Sequence, residues 1–189
     1  MPTWSTIPPP DEAPYAFRIV RTPAKGTLSA VATATEVTGS NTHFAHNRTL
    51  PCEGPDQCKL CAEGYSWRWH GYLSAVLTAT LEHVLFEFTA AASDTFQNYY
   101  LLHVNMRGCW FAAHRPSGRP NGRVVITCKY ADPQRMRLPD PPDVRAILCH
   151  IWNVKADHAV DIGRTRQFGA DIGIIPYEGD GRYRSDPAR

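Results

Sequence analysis

Three of the six cysteines fall within ten residues, in the segment T-H-F-A-H-N-R-T-L-P-C-E-G-P-D-Q-C-K-L-C-A-E-G-Y that runs from Thr42 to Tyr65. Cys58-Lys59-Leu60-Cys61 is a C-x-x-C knuckle, a spacing that lets two thiolates face one ion. Cys52 stands six positions earlier, with Gly54-Pro55 supplying a turn between. His43 and His46 are the histidines close upstream, so Cys52, Cys58, Cys61 and one imidazole make a Cys3His set. Three soft thiolates and an imidazole favour zinc. A closed four-ligand set leaves no position for a reacting water, so the expected role is structural. His43 is the preferred ligand because it sits at the end of the first expected strand. His46 is the alternative, as ligand or as a hydrogen-bonding support for one. A redox C-x-x-C pair would leave Cys52 and the histidines without a purpose.

A second dense constellation is Trp67-Arg68-Trp69-His70-Gly71-Tyr72. On a strand, Trp67, Trp69 and Gly71 share one face, and Arg68, His70 and Tyr72 the other. Either set can present rings to unpaired bases while the opposite set enters the core. From Val104 to Arg137 there are seven Lys/Arg, Arg107, Arg115, Arg119 and Arg123 among them, against the single acid Asp132. Trp110 lies in the same stretch. Rings that stack on bases, interleaved with arginines that track phosphate, are the composition of a single-strand binding surface. The expected nucleic-acid contacts are therefore Trp67, Arg68, Trp69, Tyr72, Arg107, Trp110, Arg115, Arg119 and Arg123. The bland counterpart is that any one of these rings is ordinary core.

The elements that must position these residues are mostly strands. Thr27–Val37 alternates and is rich in β-branched residues, and a polar, cysteine-bearing excursion follows from Gly39 to Gly64. Tyr65–Ala79 and Val84–Thr89 read as strands joined near Glu82-His83. Ser93 or Asp94 is placed to cap a helix reaching about His103. Gly108–His114 and Arg123–Tyr130 read as a hairpin whose loop, RPSGRPNG, carries an Asn121-Gly122 turn signal. Asp143–Trp152 reads as a short C-terminal helix after a Pro-Pro pair. The expected division is an extended proline-rich arm over 1–25, a zinc-containing domain over 26–152, and a loosely ordered tail over 153–189. Five strands with a helix between the third and fourth is the order of an OB-fold barrel, with the zinc loop between the first two strands. Another small barrel or sandwich is the alternative. Cys109, Cys128 and Cys149 sit singly among apolar neighbours and read as buried thiols in a reducing cytoplasm.

The order His…Cys…Cys-x2-Cys within the first long loop of such a strand series resembles the zinc-containing single-stranded-DNA-binding proteins of tailed phages. The resemblance covers roughly Thr27 to Tyr130 and implies an OB fold and a nucleic-acid-binding class. The loop here is shorter than in that family, and no acidic C-terminal tail is evident. The expected function is a zinc-stabilised single-stranded nucleic-acid-binding protein, with DNA favoured over RNA, serving replication, recombination or a mobile element. The second reading is an adaptor subunit within a larger nucleoprotein assembly. An enzyme is not expected: the H-x-E and P-C-x-x-C pair of zinc deaminases is missing, as are P-loop and G-x-S-x-G motifs. The first residues show no basic stretch followed by an apolar one, and no run of about 18 apolar residues occurs, so the expectation is a cytoplasmic protein.

Overall fold

The computed structural model describes residues 17–54 and 57–154. Most of the expected arm (1–16) and of the expected tail (155–189) lies outside the described residues. Among the described residues eight strands form one mixed sheet: β1 (Ile19–Arg21), β2 (Thr27–Ala32), β3 (Thr38–Ala45), β4 (Arg48–Pro51), β5 (Trp67–Leu77), β6 (His83–Thr89), β7 (Cys109–His114) and β8 (Val125–Tyr130). Among the described residues four helices accompany them: α1 (Lys59–Ala62), α2 (Ala90–His103), α3 (Pro133–Met136) and α4 (Val144–Trp152). No helix among the described residues is long and apolar enough to cross a membrane.

The long strand β5 organises the sheet. One of its edges pairs with β6 from His70 to Val76. Its other edge meets two strands in turn: β3 along Trp67–Tyr72 and β2 along Ala75–Leu77. The strand expected over Thr27–Val37 therefore ends at Ala32 and resumes at Thr38. Residues 33–37 bulge opposite only Leu73 and Ser74. The bulge is held by the chain that follows α2, with Met106 N–H donating to the Thr35 carbonyl at 2.8 Å and Gly108 N–H to that of Ala32 at 2.9 Å. Beyond β2 the sheet continues through β7 to β8, all antiparallel, while β1 adds a parallel strand outside β6.

Three expectations change here. The sheet has eight strands rather than five, because β1 forms within the expected arm and β3 and β4 within the expected loop. It is open: a barrel would join β6 to β8, but the outer edge of β6 carries β1. Finally, α2 begins at Ala90, not at Ser93 or Asp94, because β6 runs straight into it; the Ser93 hydroxyl instead donates back to the Ala90 carbonyl at 2.6 Å.

Each face of the sheet has its own core. On one, Phe86, Phe88, Phe96 and Phe111 interlock, with Phe88–Phe96 and Phe96–Phe111 centroids 4.8 and 5.1 Å apart, pinning α2 to β6 and β7. Gly71 permits that packing, since a Cβ there would stand 2.5 Å from the Phe88 ring with which it is paired. On the other face, Tyr72 and Leu85 pack under Phe17 and Ile147, Leu148 and Trp152 of α4. That helix starts where Asp143 accepts from Ala146 N–H at 2.9 Å, an N-cap worth about 1 kcal/mol.

Candidate metal centre and the surfaces beside it

The cysteine-bearing excursion is a folded hairpin rather than a loop. β3 and β4 pair from Thr42↔Pro51 to Ala45↔Arg48, and His46-Asn47 bridge them with φ of 51° and 61°. Two positive φ values at the turn centre match the right-handed twist of paired strands. Strand alternation then decides the fate of each side chain. His43 points inward and is fully buried, Phe44 points outward and is 65% exposed, and Ala45 is buried again. Cys52 follows β4 directly, its N–H donating to the Asn41 carbonyl at 2.8 Å. Cys58 opens the single turn of α1, which places Cys61 beside it. Gly64 closes that turn at φ +84°, with Gly64 N–H to the Cys61 carbonyl and Tyr65 N–H to that of Leu60 at 3.0 and 2.9 Å.

These elements bring His43, Cys52, Cys58 and Cys61 together, with all four candidate ligand atoms within 4.8 Å of one another. His43 Nε2 lies 3.3 Å from Cys58 Sγ and 3.4 Å from Cys61 Sγ, and the sulfurs of Cys52 and Cys61 are 3.6 Å apart. A tetrahedron built with Zn–S of about 2.3 Å and Zn–N of about 2.0 Å has edges of about 3.8 Å between sulfurs and about 3.5 Å from sulfur to nitrogen. These three separations are close to the edges of such a tetrahedron. His43 Nδ1 faces the Ser66 carbonyl at 3.2 Å; donating its proton there fixes the tautomer that leaves Nε2 as a ligand. Burial pushes the Cys52 thiol up. At Cys58 burial acts in the same direction, but backbone hydrogen bonds from Glu53, Cys61 and Leu60 outweigh it and hold the thiol below its ordinary value. This Cys3His cluster can hold a metal ion such as zinc. His46 stays outside it, exposed in the hairpin turn with its ring 6.1 Å from that of Tyr65.

No family model, curated protein or solved structure matches this chain.

The residues expected to touch nucleic acid divide sharply. Trp69 is buried against Phe88 at 6.1 Å, and its indole N–H has no hydrogen-bond partner among the described residues. Tyr72 is fully buried, donating its hydroxyl to Glu87 at 3.2 Å under Trp152 of α4. Both are core, because β5 has a helix over each face. Arg107 is engaged within the fold. Its guanidinium donates to the carbonyls of Thr33, Pro139 and Leu138 at 2.6–2.9 Å, clamping the bulge to the chain after α3. Trp110 sits half-buried on the outer face of β7, donating to Ser29 Oγ at 3.0 Å with Lys129 Nζ 4.5 Å above its ring. Trp67, also half-buried, opens β5 opposite His43.

Of the arginines that remain, Arg68 and Arg115 line one cavity. It measures about 340 Å³ and is lined by Arg68, Arg115, His70, Thr42 and Glu87 beside the candidate ligand His43, and by Pro120 and Asn121 of the β7–β8 loop. That loop consists of two successive turns, Arg-Pro-Ser-Gly and Arg-Pro-Asn-Gly, closed by Gly118 N–H to the Arg115 carbonyl and Gly122 N–H to that of Arg119, each at 3.0 Å. Proline at the second position sets both frames, so Asn121-Gly122 is not the hairpin's central pair as the sequence suggested. Arg115 binds the loop to the chain after β1, donating to the carbonyls of Gly122 and Thr22. Arg68, Arg119 and Arg123 are exposed. Burial holds His70 below its ordinary pKa, and its Nδ1 is 2.6 Å from Thr42 Oγ1. Two residues of these surfaces escaped the sequence reading, Phe44 and Arg48, because a strand within a presumed loop was needed to turn them outward.

Proposed function

We propose that this protein is a zinc-stabilised single-stranded nucleic-acid-binding protein, DNA in preference to RNA, that acts by binding rather than catalysis. One observation carries the reading: the metal-bearing hairpin and the basic β7–β8 loop face each other across the 340 Å³ cavity, with Arg68 and Arg115 in its lining. The order of elements supports it. A bent first strand (β2 with β3), then β5, β6, α2, β7 and β8 is the series of an OB-like fold, in which the first and last strand-connecting loops flank the oligonucleotide groove. Zinc in this reading is structural: with three thiolates and His43 engaged, it has no open position, and its work is to hold one wall of the groove.

Titration of fluorescent dT, rU and duplex oligonucleotides at about 50 and 200 mM salt tests the proposal. Tight, salt-sensitive binding of dT with weaker duplex binding is the expected result. Equal affinity for duplex and single strand, or no binding at the lower salt, would refute it.

A further inference from the structure

We infer that the nucleic-acid path does not end at the smaller cavity but crosses the β3–β4 hairpin over Phe44 into a second, larger cavity, with Phe44 as a stacking ring and Arg48 as a phosphate contact. The inference rests on the proposed function and extends its site. The second cavity measures about 650 Å³ and lies between the hairpin, β1 and the end of α4. Phe44, Thr49 and Arg21 line both cavities, so the two are neighbours across a shared ridge. Phe44 is at the top of that ridge, paired with Thr49 across the hairpin and 65% exposed.

Exposure of a phenylalanine at this level costs solvation and contributes nothing to the core. A cause for its position is nevertheless plain. His43 must turn inward to the metal cluster, and the alternation of a strand then sends Phe44 outward. The ring is thus presented on a backbone fixed on one side by the metal ligand and on the other by a two-residue turn. That is the preorganised aromatic platform on which an unpaired base stacks. On the side of the larger cavity the charge left for a ligand is that of Arg48. Arg18 and Arg21 are ion-paired with Glu82 and Glu87, whereas Arg48 is exposed and makes no ion pair among the described residues. A polyanion with planar, apolar bases fits this juxtaposition of ring and guanidinium.

The test compares Phe44→Leu, Phe44→Trp and Arg48→Ala with Arg119→Ala, using fluorescent dT oligonucleotides at two salt concentrations and zinc content as the folding control. Phe44→Leu keeps apolar bulk without the ring and should weaken binding roughly five- to 150-fold, equally at both salts, while Phe44→Trp retains affinity. Arg48→Ala should lower the salt slope by about 0.7. If wild-type protein binds, Arg119→Ala weakens it, and Phe44→Leu binds like wild type with zinc intact, the path stops at the smaller cavity and the inference fails while the proposed function stands. Loss of self-association or of protein capture in Phe44→Leu, with oligonucleotide affinity unchanged, overturns it in favour of a protein interface. Absence of any single-strand binding by the wild type overturns both.

Discussion

His43 and Ser66 meet across the sheet, the imidazole Nδ1 3.2 Å from the Ser66 carbonyl, while Nε2 of the same ring lies 3.3 Å from the sulfur of Cys58. One ring therefore ties the chain entering β5 to the candidate metal-binding cluster. Replacing His43 by Ala should remove both ties, and Cys58→Ser or Cys61→Ser should likewise release the metal. His46→Ala should leave it bound. Elemental analysis of chelator-free preparations should find one zinc per wild-type chain, and its removal should cost on the order of 10 kcal/mol in ordering the hairpin and α1. Equal zinc in wild type and His43→Ala would be incompatible with the assignment.

Two aromatic substitutions separate core from surface. Trp69→Ala should cost about 3–5 kcal/mol in chemical denaturation, since it empties a buried site beneath Phe88. Phe44→Ala should change stability by no more than about 0.5 kcal/mol, because the ring is mostly in water. A reversed ranking would mean that the faces of β3 and β5 are wrongly assigned.

Arg107 and Arg119 should part in the same way. Arg107→Ala loses charge-assisted hydrogen bonds to the carbonyls of Thr33, Leu138 and Pro139, and about 1.5–3 kcal/mol of stability with them, without altering the salt dependence of oligonucleotide binding. Arg119→Ala should leave stability unchanged and flatten the slope of log K against log salt by about 0.7. Four neutralised phosphates would give a wild-type slope near about −3, roughly a fifty-fold loss between 50 and 200 mM salt.

His83 predicts an acid sensitivity. Its Nε2 lies 2.7 Å from Thr33 Oγ1 and 2.9 Å from Ser74 Oγ, and Nδ1 is buried without a hydrogen-bond partner among the described residues. Burial first, then the nearby Arg107 charge, lower its pKa from 6.5 to about 4. The unfolded chain thus binds the proton more readily than the folded one. Stability from this group is complete above about pH 6.5, declines as pH falls below it, and levels off below about pH 4, with about 2 kcal/mol lost between pH 7.5 and 5. His83→Gln should lose less stability than wild type over that interval; an identical loss would place the acid-sensitive group elsewhere.

The candidate metal-binding cluster is legible in the sequence itself. Two cysteines at C-x-x-C spacing, with a cysteine and a histidine upstream, define a four-ligand donor set by local spacing alone, and His43 over His46 followed from expecting it at a strand end. The α2 and α4 segments and the β5–β6 and β7–β8 pairs were legible for the same reason, since period and turn chemistry are local. Whether a ring on β5 faced solvent was not a local matter. Trp69 and Tyr72 lie on opposite faces of one strand, and alternation makes one of them exposed only if one face is bare; α2 covers one face and α4 the other. Arg107 looked like its exposed neighbours in the sequence, and only the packing of the bulge at 33–37 beside the chain after α3 gave it carbonyls to hold. Sheet closure was likewise decided at long range, by β1 taking the edge of β6. What a residue is could be read from its type and spacing; which way it turned depended on what the rest of the chain packed against its strand.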